Sequence, residues 1–252
     1  MRQLRLPLDT GRIKLQFNGN DIKRAVEYAI VGIESSREDA AKRQQVAGNM
    51  DQGFRSQVTS GGHLDALADV IAQVFIDSGI NKEEIHFGKR GVELPGFFRP
   101  EKSWDIVVVR EEKLIAAIEL KSIWSSYGNN MNNRTEEAIG SGFDFQTACR
   151  YDLYNHSTPW LGYVFVIRDD VKIHTSTKFR QPHFPVDREY QETGYLERSI
   201  VSCRRLMTER VYDRVFYALV DPAKMKMIEP ASDMTWLKFE AAIRGRVAEA
   251  LA

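Results

Sequence analysis

Cysteine is scarce in this 252-residue chain, which holds only Cys149 and Cys203. Two thiols build no disulfide framework and form no C-x-x-C pair. The five histidines offer neither HExxH nor a His/Cys zinc spacing. No apolar run approaches the roughly 20 residues that span a bilayer. The stretch "MRQLRLPLDTGRIKLQF" lacks the continuous apolar segment and small-residue cleavage site of a secretory signal, so a cytoplasmic protein is expected. Net charge is also missing, with 35 basic residues against 35 acidic. That balance argues against a protein that coats nucleic acid generally. It leaves a nuclease open, because acids at a metal site can offset a basic DNA-facing surface. The absence of GxxxxGK[ST] argues against a nucleotide cofactor, and that of GxSxG against a serine-hydrolase elbow.

What is present is an ordinary globular composition, 43% hydrophobic and 28% charged. No repeat or Gly/Pro/Ser-rich linker divides it, so a single domain over 1–252 is expected. Within it we expect a helical N-terminal part (1–60), a core (61–220) and a C-terminal helix (221–252). Ile22, Ala25, Val26, Ala29, Ile30 and Ile33 recur at helical spacing and predict a helix over 20–47, capped by Asn20 or Asp21. A second helix should start near Gly62 or His63 and run to about Ser78, with Gly79 as its stop. "EEIHFG", "DIVVVR" (105–110) and "KLIAAIELK" (113–121) read as strands, the last two joined as a hairpin through Glu111 and Glu112. Helix is expected over 134–150, a buried strand over 161–168, and helices over 196–217 and 235–251. Together these make an α/β fold, a central mixed sheet flanked by helices.

Chemistry concentrates at the end of the hairpin's second strand. Side chains alternate, so Ile115, Ala117, Glu119 and Lys121 share one face. Asp105 opens the partner strand. A three-residue connection puts it opposite Glu119, and a two-residue connection opposite Ile118, facing away. A small bulge would restore the first case. Asp105 and Glu119 together would hold Mg²⁺, a hard cation that prefers oxygen, and Lys121 would orient a water for attack on a phosphodiester. The plainer alternative is a charged pair that only guards a sheet edge.

The surrounding residues narrow the choice. "LPGFFRPEKSWDIVVV", "AAIELKS", "GNNMNNRTEEAIGSGFDFQTA" and "PWLGYVFVI" resemble the XhoI family of type II restriction endonucleases, within the wider PD-(D/E)xK nuclease fold. The similarity runs over roughly 60–170. It implies a restriction-endonuclease-like core and a catalytic triplet of Asp105, Glu119 and Lys121, with Leu120 counted among the metal-binding positions. Trp104 stands where the motif's name has proline. The resemblance further implies a homodimer acting on double-stranded DNA with Mg²⁺. The site would be CTCGAG or a related palindrome, cut after the first C. The rival readings are another nuclease of this fold, for repair or single strands, and a non-catalytic DNA-binding regulator.

Several other residues carry two readings. Asp65 could be a further metal ligand or a first-turn acid complementing a helix dipole, and Glu137, beside Glu136, poses the same choice. Asn129, Asn130, Asn132, Asn133 and Arg134 could form a polar turn. We read them as DNA contacts, since asparagine pairs with adenine and arginine with guanine, and either grips phosphates. Lys178, Arg180, Gln181, His183 and Arg188, with Lys172, suit an arm that embraces DNA rather than an ordinary loop. Arg204 and Arg205 would add phosphate contacts or simply face solvent.

Overall fold

The computed structural model describes residues 22–46, 64–88, 91–180 and 183–252, with the backbone alone for 35–46. The expected caps at Asn20 or Asp21, the helix start at Gly62 or His63, and Gln181 lie outside these residues. Among the described residues eight strands form: β1 (Ile85–Phe87), β2 (Glu93–Pro95), β3 (Glu101–Ser103), β4 (Ile106–Arg110), β5 (Lys113–Ile123), β6 (Trp160–Arg168), β7 (Arg214–Asp221) and β8 (Lys226–Ile228). Six of them make one sheet in the order β1-β4-β5-β6-β7-β8, and β2 and β3 pair separately. The central β5, β6 and β7 run parallel, while the flanking pairings are antiparallel. β6 and β7 are continuous apolar runs because both of their faces are covered.

The helices are α1 (Ile22–Val46), α2 (Asp65–Asp77), α3 (Tyr127–Arg150), α4 (Val171–His174), α5 (Tyr195–Thr208) and α6 (Trp236–Leu251). Strand alternation sorts the core into two layers. On one face Ile106, Val108, Ile118, Leu120 and Phe216 pack with Val26 of α1, Phe75 of α2 and Phe239 of α6. On the other, Val107, Ala117, Phe165 and Tyr217 pack with Met131 and Phe145 of α3 and Leu206 of α5. Both crossover helices, α3 and α5, therefore lie on one side of the parallel strands, as crossovers of one hand require. Among the described residues no helix is long and apolar enough to cross a membrane.

Two expected elements need correction. The helix over 196–217 ends at Thr208, and 214–221 is strand β7. Arg210 takes a left-handed φ of 55° and breaks the helix, after which "VFYALV" is a fully covered strand. The helix expected from 134 starts seven residues earlier, at Tyr127. Tyr127, Met131 and Ala138 form a buried stripe at helical spacing that carries the helix back through the asparagines. Glu136 and Glu137 are thus in its interior, and a first-turn dipole role does not apply to them.

A buried acid ties α1 to this sheet. Glu34 is 5% exposed; one oxygen accepts from Arg168 Nε at 2.9 Å and the other from the Trp124 indole N–H. It thus joins the N-terminal helix to the ends of β5 and β6. Glu34→Ala removes the acceptor both groups share and should cost about 2 kcal/mol. The expected readout is a lower urea midpoint with an unchanged m-value.

Candidate active site

The hairpin register decides what meets Asp105. The connection is the two-residue turn Glu111–Glu112, both with positive φ (50° and 62°), a twist that suits adjacent antiparallel strands. Pairing runs Arg110↔Lys113 and Val109↔Leu114, then shifts to Val108↔Ala116, so Ile115 is a bulge and packs in the layer of Ile118, not on the face of Glu119 as expected. From there Val107 pairs with Ala117 and Ile106 with Ile118. The Asp105 amide donates to Ile118 O at 3.1 Å, and Asp105 Oδ2 accepts from the Leu120 amide at 2.6 Å. One extra residue therefore brings Asp105 beside Glu119, on the face covered by α3 and α5.

Glu119 is 4% exposed, and each of its oxygens meets an ammonium. Lys121 pairs with Oε1, and Lys102 Nζ lies 2.5 Å from Oε2. Burial works against ionisation of Glu119, but Lys121 and Lys102 outweigh it and hold the carboxyl below its ordinary range. Asp105 goes the other way. Burial first, and then the neighbouring Glu119 charge, push it up to about 6 against partial relief from Lys121 and the Leu120 amide. Beneath the pair lies Tyr212, fully buried, whose hydroxyl has no hydrogen-bond partner among the described residues. Its ring is 5.0 Å from that of Tyr163. Burial, followed by the Glu119 and Asp105 charges, keeps the Tyr212 phenol protonated.

Lys102 and Tyr212 were not singled out from the sequence. Lys102 belongs to β3, just ahead of β4, and the β4–β5 pairing carries it back to Glu119. A lysine three residues before Asp105 in a strand-like stretch is a faint signal at most. The candidate third acids do not join the pair. Asp65 is exposed on the first turn of α2, which packs on the opposite face of the sheet, and Glu137 is exposed and paired with Arg134. Among the described residues no group of three His, Cys, Asp or Glu side chains is placed to hold a metal ion. Leu120 enters through its main chain, since its side chain is buried in the other layer.

The amide segment divides by helical geometry. Asn129, Asn132 and Asn133, with Glu136, form one exposed stripe on α3. Asn130 instead turns back, its side-chain amide donating to Ser125 O at 2.6 Å. Arg134 is half-buried and pairs with Glu137, and its buried Nε has no partner among the described residues. An open cleft of about 670 Å³ adjoins the start of α3, lined by Trp124, Asn129, Arg168 and Lys172 among others.

In the basic segment Lys178, Arg180, His183 and Arg188 are all exposed. Arg198 anchors its base, donating to Thr177 O and Thr193 O at 3.1 Å each and lying 3.8 Å from the Phe179 ring centroid. Arg204 is committed to Asp233 at 2.8 and 3.0 Å, and Arg205 to Asp187 and Glu189, both at 3.0 Å. Acids of the chain itself thus take the place of the phosphates considered for those two arginines.

Comparison with known proteins places this geometry. Residues 43–228 match the family described as Restriction endonuclease XhoI. The type II restriction enzyme BstVI of Geobacillus stearothermophilus is 38% identical over 173 residues, covering 66% of this chain and 77% of its own. AbrI of Azospirillum brasilense is 34% identical over 170 residues, covering 67% and 76%. XhoI of Xanthomonas vasicola is 37% identical over 158 residues, covering 62% and 64%. No solved structure matches at a significant level. The class is that of the type II restriction enzymes, site-specific deoxyribonucleases built on a mixed sheet with flanking helices. Within that class the chain belongs to the XhoI restriction endonuclease family.

Proposed function

We propose that this protein cleaves double-stranded DNA at CTCGAG or a closely related palindrome, by Mg²⁺-dependent hydrolysis, as a homodimer. The observation that carries the chemistry is the bulged register that sets Asp105 against Glu119 with Lys121 on the same face. Those donors fit a hard divalent cation, being carboxylate oxygens alone with no thiolate or imidazole among them. Asp105 and Glu119 would hold it, with Leu120 contributing through its backbone. Bound there, Mg²⁺ supplies a bound water of lowered pKa and neutralises charge growing on the phosphate.

The chain's own groups do the rest. Without a metal the Asp105 carboxyl is pushed up to about 6, so below that value a cation must displace a proton to bind, and cleavage should fall away. Lys121 presents a compact positive charge to the attacking water and the phosphate. The Leu120 amide holds the Asp105 carboxylate in place while these change. Dimerisation follows from the substrate, because a two-fold protein meets a palindrome symmetrically and cuts both strands.

Sequence reading falls to the exposed stripe Asn129, Asn132 and Asn133, and grip to Lys178, Arg180, Gln181, His183 and Arg188. Arg134 remains a contact only if DNA draws it from Glu137. Asn132→Ala or Asn133→Ala should weaken specific binding about 10- to 100-fold if each pairs with a base. Asn130→Ala should lower stability and leave the cleavage site unchanged. Competition gel shifts against single-base variants of the site separate these outcomes. The test of the whole reading is plasmid DNA with Mg²⁺, followed by sequencing of the ends. Discrete fragments with one shared end sequence support it, and intact plasmid under every divalent metal would reject it.

A further inference from the structure

Glu119 has two oxygens and two ammonium partners, yet the partners are held differently. Lys121 stands on β5 itself, two residues away on the same face. Lys102 reaches across from β3, which belongs to the separate two-stranded sheet. A cation binding between Asp105 and Glu119 needs at least one Glu119 oxygen, and two ammoniums already there repel it. Lys102 is the one with somewhere else to stay. Its Nζ also donates to Ser103 O at 3.0 Å and lies 4.3 Å from the Trp104 ring centroid, so it can leave Glu119 and keep both contacts.

The platform beneath it is fixed. Asp144 of α3 accepts from the Phe97 and Phe98 amides at 2.9 and 2.7 Å and pairs with Arg99 Nε at 3.0 Å, closing the turn between β2 and β3. The Trp104 amide donates to Val92 O at 2.9 Å. Release of Lys102 is therefore a side-chain movement on a held backbone.

We propose that Lys102 is the resident counter-ion of Glu119, which a divalent cation must displace, and so a positioning residue that sets the metal affinity of the site. This rests on the reading of Asp105 and Glu119 as the metal-binding pair. It assigns the lysine a part distinct from that of Lys121: it occupies Glu119 Oε2 until the metal arrives.

The test uses the full chain without DNA. Mn²⁺ is titrated calorimetrically, at constant ionic strength, into the wild type, Lys102→Met and Lys102→Arg, with thermal melts of each. Lys102→Met keeps the apolar stem over Trp104 and removes the charge. It should bind Mn²⁺ about tenfold tighter, the scale expected for removing a like charge a few ångströms away in a partly screened site. Lys102→Arg should stay near the wild type. A Lys102→Met protein that melts cooperatively and binds Mn²⁺ no tighter than the wild type overturns the proposal. If the wild type neither binds metal nor cuts DNA, the reading of the active site fails and this proposal with it. If it does both while Lys102→Met keeps the wild-type affinity, only the role of Lys102 fails.

Discussion

Asp105→Asn should abolish DNA cleavage and, in the same protein, raise the melting temperature of the metal-free chain at pH 8. Burial and the adjacent Glu119 charge push the Asp105 carboxyl up to about 6, so ionising it in the folded protein is unfavourable. The sign follows from linkage. Between the ordinary value of 3.8 and about 6 the folded state holds the proton more tightly than the unfolded chain. Stability therefore falls as pH rises through that window and stays reduced above it. A carboxyl carried that far corresponds to about 3 kcal/mol if wholly expressed, and about 2 kcal/mol is the working expectation. In a chain of this size that is a rise of about 5 °C.

Asparagine keeps the acceptor for the Leu120 amide and turns its own NH₂ toward Glu119, so the gain comes without a lost hydrogen bond. Melts from pH 4 to 8 give the check. The advantage of Asp105→Asn should be large at pH 8 and shrink to a small remainder near pH 4, where the folded carboxyl is protonated and the unfolded one partly so. Added Mg²⁺ should reverse the order by stabilising the wild type and leaving the variant unmoved. Equal melting curves at every pH would mean that Asp105 carries no such strain. The trade is of a familiar physical kind, since a site that must receive a cation is costly while it waits.

How much of this was legible in the sequence depends on the reach of each signal. The hairpin was visible because β4 and β5 are apolar runs flanking a charged turn. The register was visible only as a pair of alternatives, because nothing local marks Ile115 as a bulge. Chain order hid β7, which follows α5 after a short turn and whose apolar residues continue the helical spacing by coincidence. The start of α3 was missed because asparagine is a poor helix former, and the buried stripe of Tyr127 and Met131 overrides that preference. Lys102 is the clearest limit. Its partner lies 17 residues along the chain, across the β4–β5 hairpin, and its own strand β3 is short and largely exposed. Short polar strands leave almost no periodic trace. Family resemblance reached further than periodicity because it compares whole segments, yet it carried over the triplet and not the second lysine.

Lys121→Ala should lower the cleavage rate by about a thousandfold or more, while specific DNA affinity stays within about tenfold. A charge aimed at the transition state is worth about 4 kcal/mol in a water-poor site, and its loss falls on the chemical step rather than on binding. The structure makes this substitution unusually clean. Lys102 still meets Glu119 Oε2 when Lys121 is gone, so the buried carboxylate keeps a cationic partner and the fold is not left with an unpaired charge. Lys121→Arg should not restore the rate, because a planar guanidinium spreads its charge and is too wide for a position two residues from Glu119 on the same strand face. Single-turnover cleavage with enzyme in excess isolates the chemical step, and gel shifts with Ca²⁺ in place of Mg²⁺ measure binding without turnover. A Lys121→Ala enzyme that cuts at near the wild-type rate would remove Lys121 from the mechanism. The two lysines should then part company: losing Lys121 slows cutting without loosening the site, whereas losing Lys102 tightens the metal. That parting would separate an ammonium carried on β5 itself from one that reaches the same carboxylate from β3.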